Sequence, residues 1–236
     1  MTDATRTVVM VPSLGRPATD FAPIVPALTE AGYETVLMEP RPSWDGKPTL
    51  HDLAADTVAQ LDKLGVHRFH LVGHAFGNRL SRTITADFND RVESLTLLAA
   101  GGLVEPDEHV LRSLGQCFNL SLPADEHLEH VRTALFAAGN DPSVWRDGWM
   151  PEVSRYQRTA VAATPRDDWW SASAGRVLVV QALEDAIAPP GNGRRYVAES
   201  APHAVLVEIE GAGHAMLPEQ PADGPSRDRT ATTRSR

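Results

Sequence analysis

The chain has 236 residues, 42% of them hydrophobic, which is enough for one large α/β domain with a substantial core. Its formal net charge of -9 and pI near 5.4 argue against a nucleic-acid partner, because phosphate binding needs clustered Lys and Arg. The single cysteine, Cys117, excludes an internal disulfide and a thiolate metal cluster, and is expected to be a buried small hydrophobe.

Residues 1–6 lack the apolar core of a signal peptide, and no stretch approaches ~20 uncharged apolar residues. The expectation is a cytoplasmic protein without membrane association. Residues 7–11, Thr-Val-Val-Met-Val, read as a strand buried on both faces, followed by the turn Ser13-Leu14-Gly15-Arg16-Pro17. From Asp20, a plausible N-cap, Phe21, Ile24, Val25, Leu28 and Ala31 share one helical face up to Gly32, with Pro23 and Pro26 working against the helix. A second strand covers 34–38, a loop 40–46, and an amphipathic helix 51–64 is closed by Gly65.

The stretch Leu71-Val72-Gly73-His74-Ala75-Phe76-Gly77-Asn78 joins an apolar strand at 69–72 to a helix carrying Leu80, Ile84 and Phe88. Two glycines four apart let the backbone double back there and raise the central side chain, Ala75, above the sheet. This resembles the G-x-S-x-G nucleophile elbow of the α/β-hydrolase superfamily, with Ala75 where that family carries its serine. Residues 94–99 and 176–181 read as further core strands, 193–199 as a helix and 204–209 as the last strand. Strand and helix alternate, which predicts a mainly parallel, doubly wound sheet.

Between 104 and 172 there is no strand signal, only helical runs at 110–114, 127–138 and 153–163 and the rings of Trp145, Trp149, Trp169 and Trp170. The resemblance implies a helical cap here over a core formed by 1–103 and 173–221. Most of the Trp residues are expected to pack the cap, with Trp145 and Trp149 as candidate pocket walls. Residues 222–236 are polar and low in complexity, and read as a disordered tail. The superfamily usually ends in a further helix on the sheet, for which no sequence signal is evident.

His214 lies in a Gly-Ala-Gly-His loop after the last strand and Asp185 in the loop after the strand before it. Both loops leave the carboxyl edge of the sheet, where ligands bind in open α/β folds. The order elbow, acid, histidine matches the resembled family, over roughly residues 7–221. The resemblance implies a His214–Asp185 pair, Glu184 being the less favoured acid, and an oxyanion hole from the backbone N–H groups of Phe76 and Leu14. Pro12 and Ser13 depart from the family's usual His-Gly. Ser13 is read as a turn residue, a substrate hydrogen-bond partner or a substitute nucleophile within reach of His214. Arg16 pairs either with a substrate carboxylate or enolate or stands as a solvated loop charge. His74, beside the elbow centre, is a backbone-bonded structural residue or a substrate contact. Asn78 is expected to face neighbouring loops and Arg79 to pair with an acidic residue. Neither a metal nor a nucleotide motif is present, so no cofactor is expected.

Three readings follow. One is an enzyme whose His-Asp base and backbone oxyanion hole act on a small, fairly apolar carbonyl or ester-like metabolite, by water-mediated hydrolysis or by lyase, cyclase or isomerase chemistry. Another is a serine hydrolase inactivated at Ala75. The third is a non-catalytic protein that binds a small ligand. The partner is a small molecule in every case, and the sequence does not fix the oligomeric state.

Overall fold

Successive side chains of a strand point to opposite faces, and in the computed structural model, which describes residues 6–220, both faces of the first strand, β1 (Thr7–Val11), are covered. Val9 and Val11 join one apolar layer, with Leu50, Leu53, Val58 and Leu61. Val8 and Met10 join the other, with Phe21, Met216 and Leu217. The apolar run at 7–11 is therefore a strand clothed on both sides, as its composition requires.

The remaining strands are β2 (Glu34–Leu37), β3 (Phe69–His74), β4 (Val92–Leu98), β5 (Val177–Ala182) and β6 (Val205–Ile209). All neighbours pair in parallel, in the order β2-β1-β3-β4-β5-β6. This is the doubly wound α/β architecture that the alternating sequence predicts. The edge strand β6 leaves Val205 and Val207 exposed at 59% and 41%.

The helices are α1 (Val25–Glu30), α2 (Leu50–Lys63), α3 (Phe76–Asp87), α4 (Glu108–Gln116), α5 (Ala124–Leu135), α6 (Pro151–Ala163), α7 (Gly191–Glu199) and the short α8 (Met216–Glu219). Helix α2 starts at a capping box in which Thr49 Oγ1 accepts from the Asp52 N–H and Asp52 accepts from the Thr49 N–H. The expected single helix from Asp20 needs correction. A 3-10 segment, Ala18–Ile24, containing Pro23, precedes α1, which has Pro at its start, and Asp20 does not cap it but binds Arg16. Proline's missing N–H and fixed φ keep one regular helix from running through both positions.

Between β4 and β5 the chain forms α4, α5 and α6 with 3-10 turns and no strand. Val110, Cys117, Val131, Leu135, Trp145 and Trp149 make a small core of their own. Burial raises the Cys117 thiol to about 12, so it is a packed, protonated group. Among the described residues no helix is long and apolar enough to cross a membrane. The expectation of a disordered tail at 222–236 lies outside the described residues.

The turn between β3 and α3 packs closely against the end of β1. A β-carbon on Gly77 would run into the Val11 carbonyl oxygen, and one on Gly73 into the Gly77 carbonyl. Gly77→Ala is expected to lower stability by about 3 kcal/mol or more, or to abolish soluble folding. Gly65→Ala, at φ +73 with nothing within 4 Å, should cost only about 1 kcal/mol. Chemical denaturation of the two variants checks the contrast, and equal losses would remove the steric argument.

Candidate active site

Strand β3 delivers the chain to Ala75, whose backbone sits at φ 54 and ψ -109. That region is strained for a residue with a β-carbon, by about 1–3 kcal/mol. The surroundings hold it there. The Ala75 N–H donates to the Leu98 carbonyl at 3.0 Å. The Asn78 amide donates to the carbonyls of Leu98 (3.3 Å) and Ala99 (2.8 Å), so Asn78 faces the neighbouring β4 loop as expected. Phe76 is the first residue of α3, where an N–H has no intrahelical acceptor.

The loops after β5 and β6 bring Asp185 and His214 together, both buried. His214 Nδ1 lies 3.0 Å from Asp185 Oδ1 and 2.9 Å from Oδ2. Asp185 Oδ1 also accepts from the N–H groups of Ile187 (2.9 Å) and Ala188 (2.7 Å). A carboxylate so bonded favours Nδ1–H on the imidazole, which leaves Nε2 with its lone pair free toward the cavity. Glu184 is exposed and accepts from the Gly211 N–H at 3.0 Å. It braces the histidine loop and does not touch the histidine ring.

His74 is fully buried and absent from the cavity wall. Its Nε2 lies 2.8 Å from the His214 carbonyl oxygen, and burial, aided by the neighbouring His214, pushes its pKa down to about 3. The ring is therefore neutral, donates Nε2–H and holds the backbone of His214. The sequence did not signal Glu219 as part of this loop. Its carboxylate accepts from the N–H groups of Gly213 (2.8 Å) and Ala137 (2.7 Å) and from Asn140 (2.6 Å), tying the histidine loop to the end of α5. Its position five residues after His214 carries no recognisable motif.

The turn after β1 is gripped by the segment between β4 and β5. The Gly15 N–H donates to Gln157 Oε1 at 2.8 Å, and the Met150 N–H to the Gly15 carbonyl at 3.0 Å. Arg16 is neither solvated nor free. Its Nε and Nη2 donate to Asp20 at 2.8 and 2.9 Å, and Nη1 to the Asp147 carbonyl at 2.6 Å. The guanidinium carbon lies 4.5 Å and 4.6 Å from the ring centres of Trp145 and Trp149. Much of the apolar surface of these two indoles thus serves a buried cation.

A cavity of about 250 Å³ opens over these groups. Ser13, Leu14, Ala75, Phe76 and His214 line it, together with Arg16, Trp145 and Trp149. Ser13, Leu14, Phe76, Ala75 and His214 thus line one cavity, and no hydrogen bond joins Ser13 to His214 among the described residues. Two charged lining residues were not foreseen as wall groups. These are Arg79, expected to pair with an acid but making no ion pair among the described residues, and Arg158 of α6. Among the described residues no group of three or more His, Cys, Asp or Glu could hold a metal ion.

The sequence matches the family described as Alpha/beta hydrolase family over residues 8–224. It is 30% identical over 211 residues to the rhodomycin D methylesterase DauP of Streptomyces sp. (strain C5), covering 70% of this chain and 67% of that one. A hydrolase from Pseudomonas aeruginosa PA01 superposes with a TM-score of 0.74 at 20% identity, covering 92% and 86% of the two chains. The enol-lactonase from Burkholderia xenovorans LB400 gives 0.72 at 21% identity, covering 91% and 86%. At such identities the structural matches speak for the fold.

Burial of His74 makes stability depend on pH. Between an unfolded pKa near 6.5 and the folded value of about 3, the unfolded chain binds this proton and the folded chain does not. Stability is therefore complete above pH ~6.5 and falls toward pH 3, by about 1.4 kcal/mol per unit for this group. His74→Gln, which keeps a donor but cannot titrate there, should flatten the difference. Denaturation midpoints at pH 7, 6, 5 and 4 check it, and parallel curves for parent and variant would contradict it.

Proposed function

This chain belongs to the alpha/beta hydrolase family, and from that premise we propose that it is an enzyme hydrolysing a small, fairly apolar ester-like carbonyl compound, with water rather than a side chain as nucleophile. The observation that carries the proposal is the buried His214 with Nδ1 held by both oxygens of Asp185, in the lining of a cavity where residue 75 offers only a methyl group. In this reading His214 Nε2 takes a proton from a water lodged above Ala75. The hydroxide oxygen bonds to the carbonyl carbon. The oxyanion that forms faces the N–H groups of Phe76 and Leu14, and its collapse expels an alkoxide that takes the proton back from His214. General-base assistance contributes about 10²–10⁴-fold and an oxyanion donor about 10²–10³-fold. The name of the relative DauP, a methylesterase, supports an ester among the carbonyl classes. The same base could also deprotonate a carbon acid in a lyase, cyclase or isomerase reaction.

A second reading rests on the backbone of Ala75. A residue held at φ 54 retains the strain of a nucleophile elbow without a nucleophile, as a serine hydrolase inactivated at this position would. A small-ester assay with p-nitrophenyl acetate separates the two. Under the first reading His214→Ala lowers turnover about 10²–10⁴-fold, Asp185→Asn lowers it in the same direction, and Ala75→Ser gives no burst of acyl-enzyme. A strong burst with Ala75→Ser favours the inactivated serine hydrolase, and turnover indifferent to His214→Ala removes the base.

A further inference from the structure

The charged residues that line the cavity are Arg16, Arg79 and Arg158, with no Asp or Glu among them. This wall contrasts with a chain of net charge -9. Arg16 is neutralised by Asp20. The other two arginines have no such partner. Arg158 donates Nε to Ser154 Oγ at 3.1 Å and lies 5.3 Å from the Phe118 ring centre, leaving its terminal nitrogens free of ion pairs among the described residues. The Arg79 carbonyl accepts from Thr83 Oγ1 at 2.9 Å, while its guanidinium makes no hydrogen bond or ion pair among the described residues. The Trp169 ring centre lies 5.6 Å from its guanidinium carbon, and exposed Glu105 exerts a weak attraction from outside hydrogen-bonding range.

A second guanidinium reinforces the local field. Arg82, one turn further along α3, is fully buried, donates to Asn78 Oδ1 (2.7 Å) and the Gly101 carbonyl (2.8 Å), and leaves Nη1 unpartnered. Its counter-surface is aromatic, with Trp169 and Trp170 at 4.7 Å and Tyr196 at 5.3 Å. No carboxylate makes an ion pair with either cation among the described residues, and although burial lowers the pKa of both, that of Arg82 to about 9, both stay charged at neutral pH. The N-terminal end of α3 adds its partial positive charge to the same region.

We propose that Arg79, assisted by Arg158, is a carboxylate-binding subsite, so that the ligand of this cavity is a small organic acid with an apolar body. About one turn of α3, ~5.4 Å of rise, separates Ala75 from Arg79, which lets one ligand place its carbonyl over Ala75 and its carboxylate on the guanidinium. The planar donor fork of arginine matches a carboxylate better than a neutral amide or alcohol. The apolar lining, Leu114, Leu135, Val161 and Ile187, covers the carbon chain between the two ends. This assignment rests on the same cavity as the proposed hydrolysis and names its substrate class, but binding does not require turnover.

The test uses 4-phenylbutyrate and 4-phenylbutyramide as probes, with affinity read by calorimetry on the full chain. The parent protein should bind the acid about ten- to a hundredfold more tightly than the amide, the range that charged hydrogen bonds span. Arg79→Gln should abolish that preference, Arg79→Lys should keep part of it, and thermal melts should show both variants folded. His214→Ala should retain the preference even where it has lost esterase activity, which separates this subsite from the catalytic proposal. Equal affinities in the parent, a preference that survives Arg79→Gln, or one lost with Arg158→Gln alone would overturn the assignment.

Discussion

No β-carbon fits between the turn after β3 and the end of β1. Gly77 lies against the Val11 and Pro12 carbonyls, and Gly73 against the backbone of Gly77 and Asn78. That contact forces the strand-to-helix reversal, sets Ala75 in a strained region at φ 54 and brings the first N–H of α3 beside the turn that carries Ser13 and Leu14. The geometry is a property of the backbone. It persists whatever side chain stands at 75, which is why a methyl group there leaves the surrounding site assembled.

Two buried arginines show how aromatic rings substitute for solvent. Arg16 has a carboxylate, a carbonyl and two indole faces. Arg82 has carbonyls, an amide oxygen and three rings, with no carboxylate among its bonded partners. A desolvated guanidinium is costly unless its donors and its charge are both met. The tryptophans at 145, 149, 169 and 170 answer that demand, and Trp145 and Trp149 do so in the wall of the cavity.

The position of His214 is shared between layers. His74 holds its carbonyl from the sheet side, Asp185 holds its ring, and Glu219 links the preceding glycine to Ala137 at the end of α5. The Ala215 N–H also donates to the Leu135 carbonyl. Any shift of α5 is therefore felt at the imidazole. The turn of Gly15 is likewise bonded to Met150 and Gln157, so the segment between β4 and β5 grips both sides of the cavity at once.

Period and punctuation in the sequence were sufficient for the strands, for the glycine-flanked turn and for the placing of the His214 and Asp185 loops at one edge of the sheet. Such signals depend on nearest neighbours and on the rule that parallel strands present their loops at one edge. The 3-10 start before α1 was blurred because two prolines and an apolar helical face point to different answers. Contacts between residues distant in sequence were not legible. Asp20 binds Arg16 instead of capping a helix, His74 braces His214 from outside the cavity, Glu219 spans to Ala137, and Arg79 makes no ion pair among the described residues, feeling Glu105 only at a distance. The sequence by itself determined the sheet, the glycine-flanked turn and the order of the loops at its carboxyl edge, because local periodicity and chain order encode them. Only the tertiary structure decided which cations are neutralised and which face the ligand, because charge compensation depends on what the folded chain places within a few ångströms.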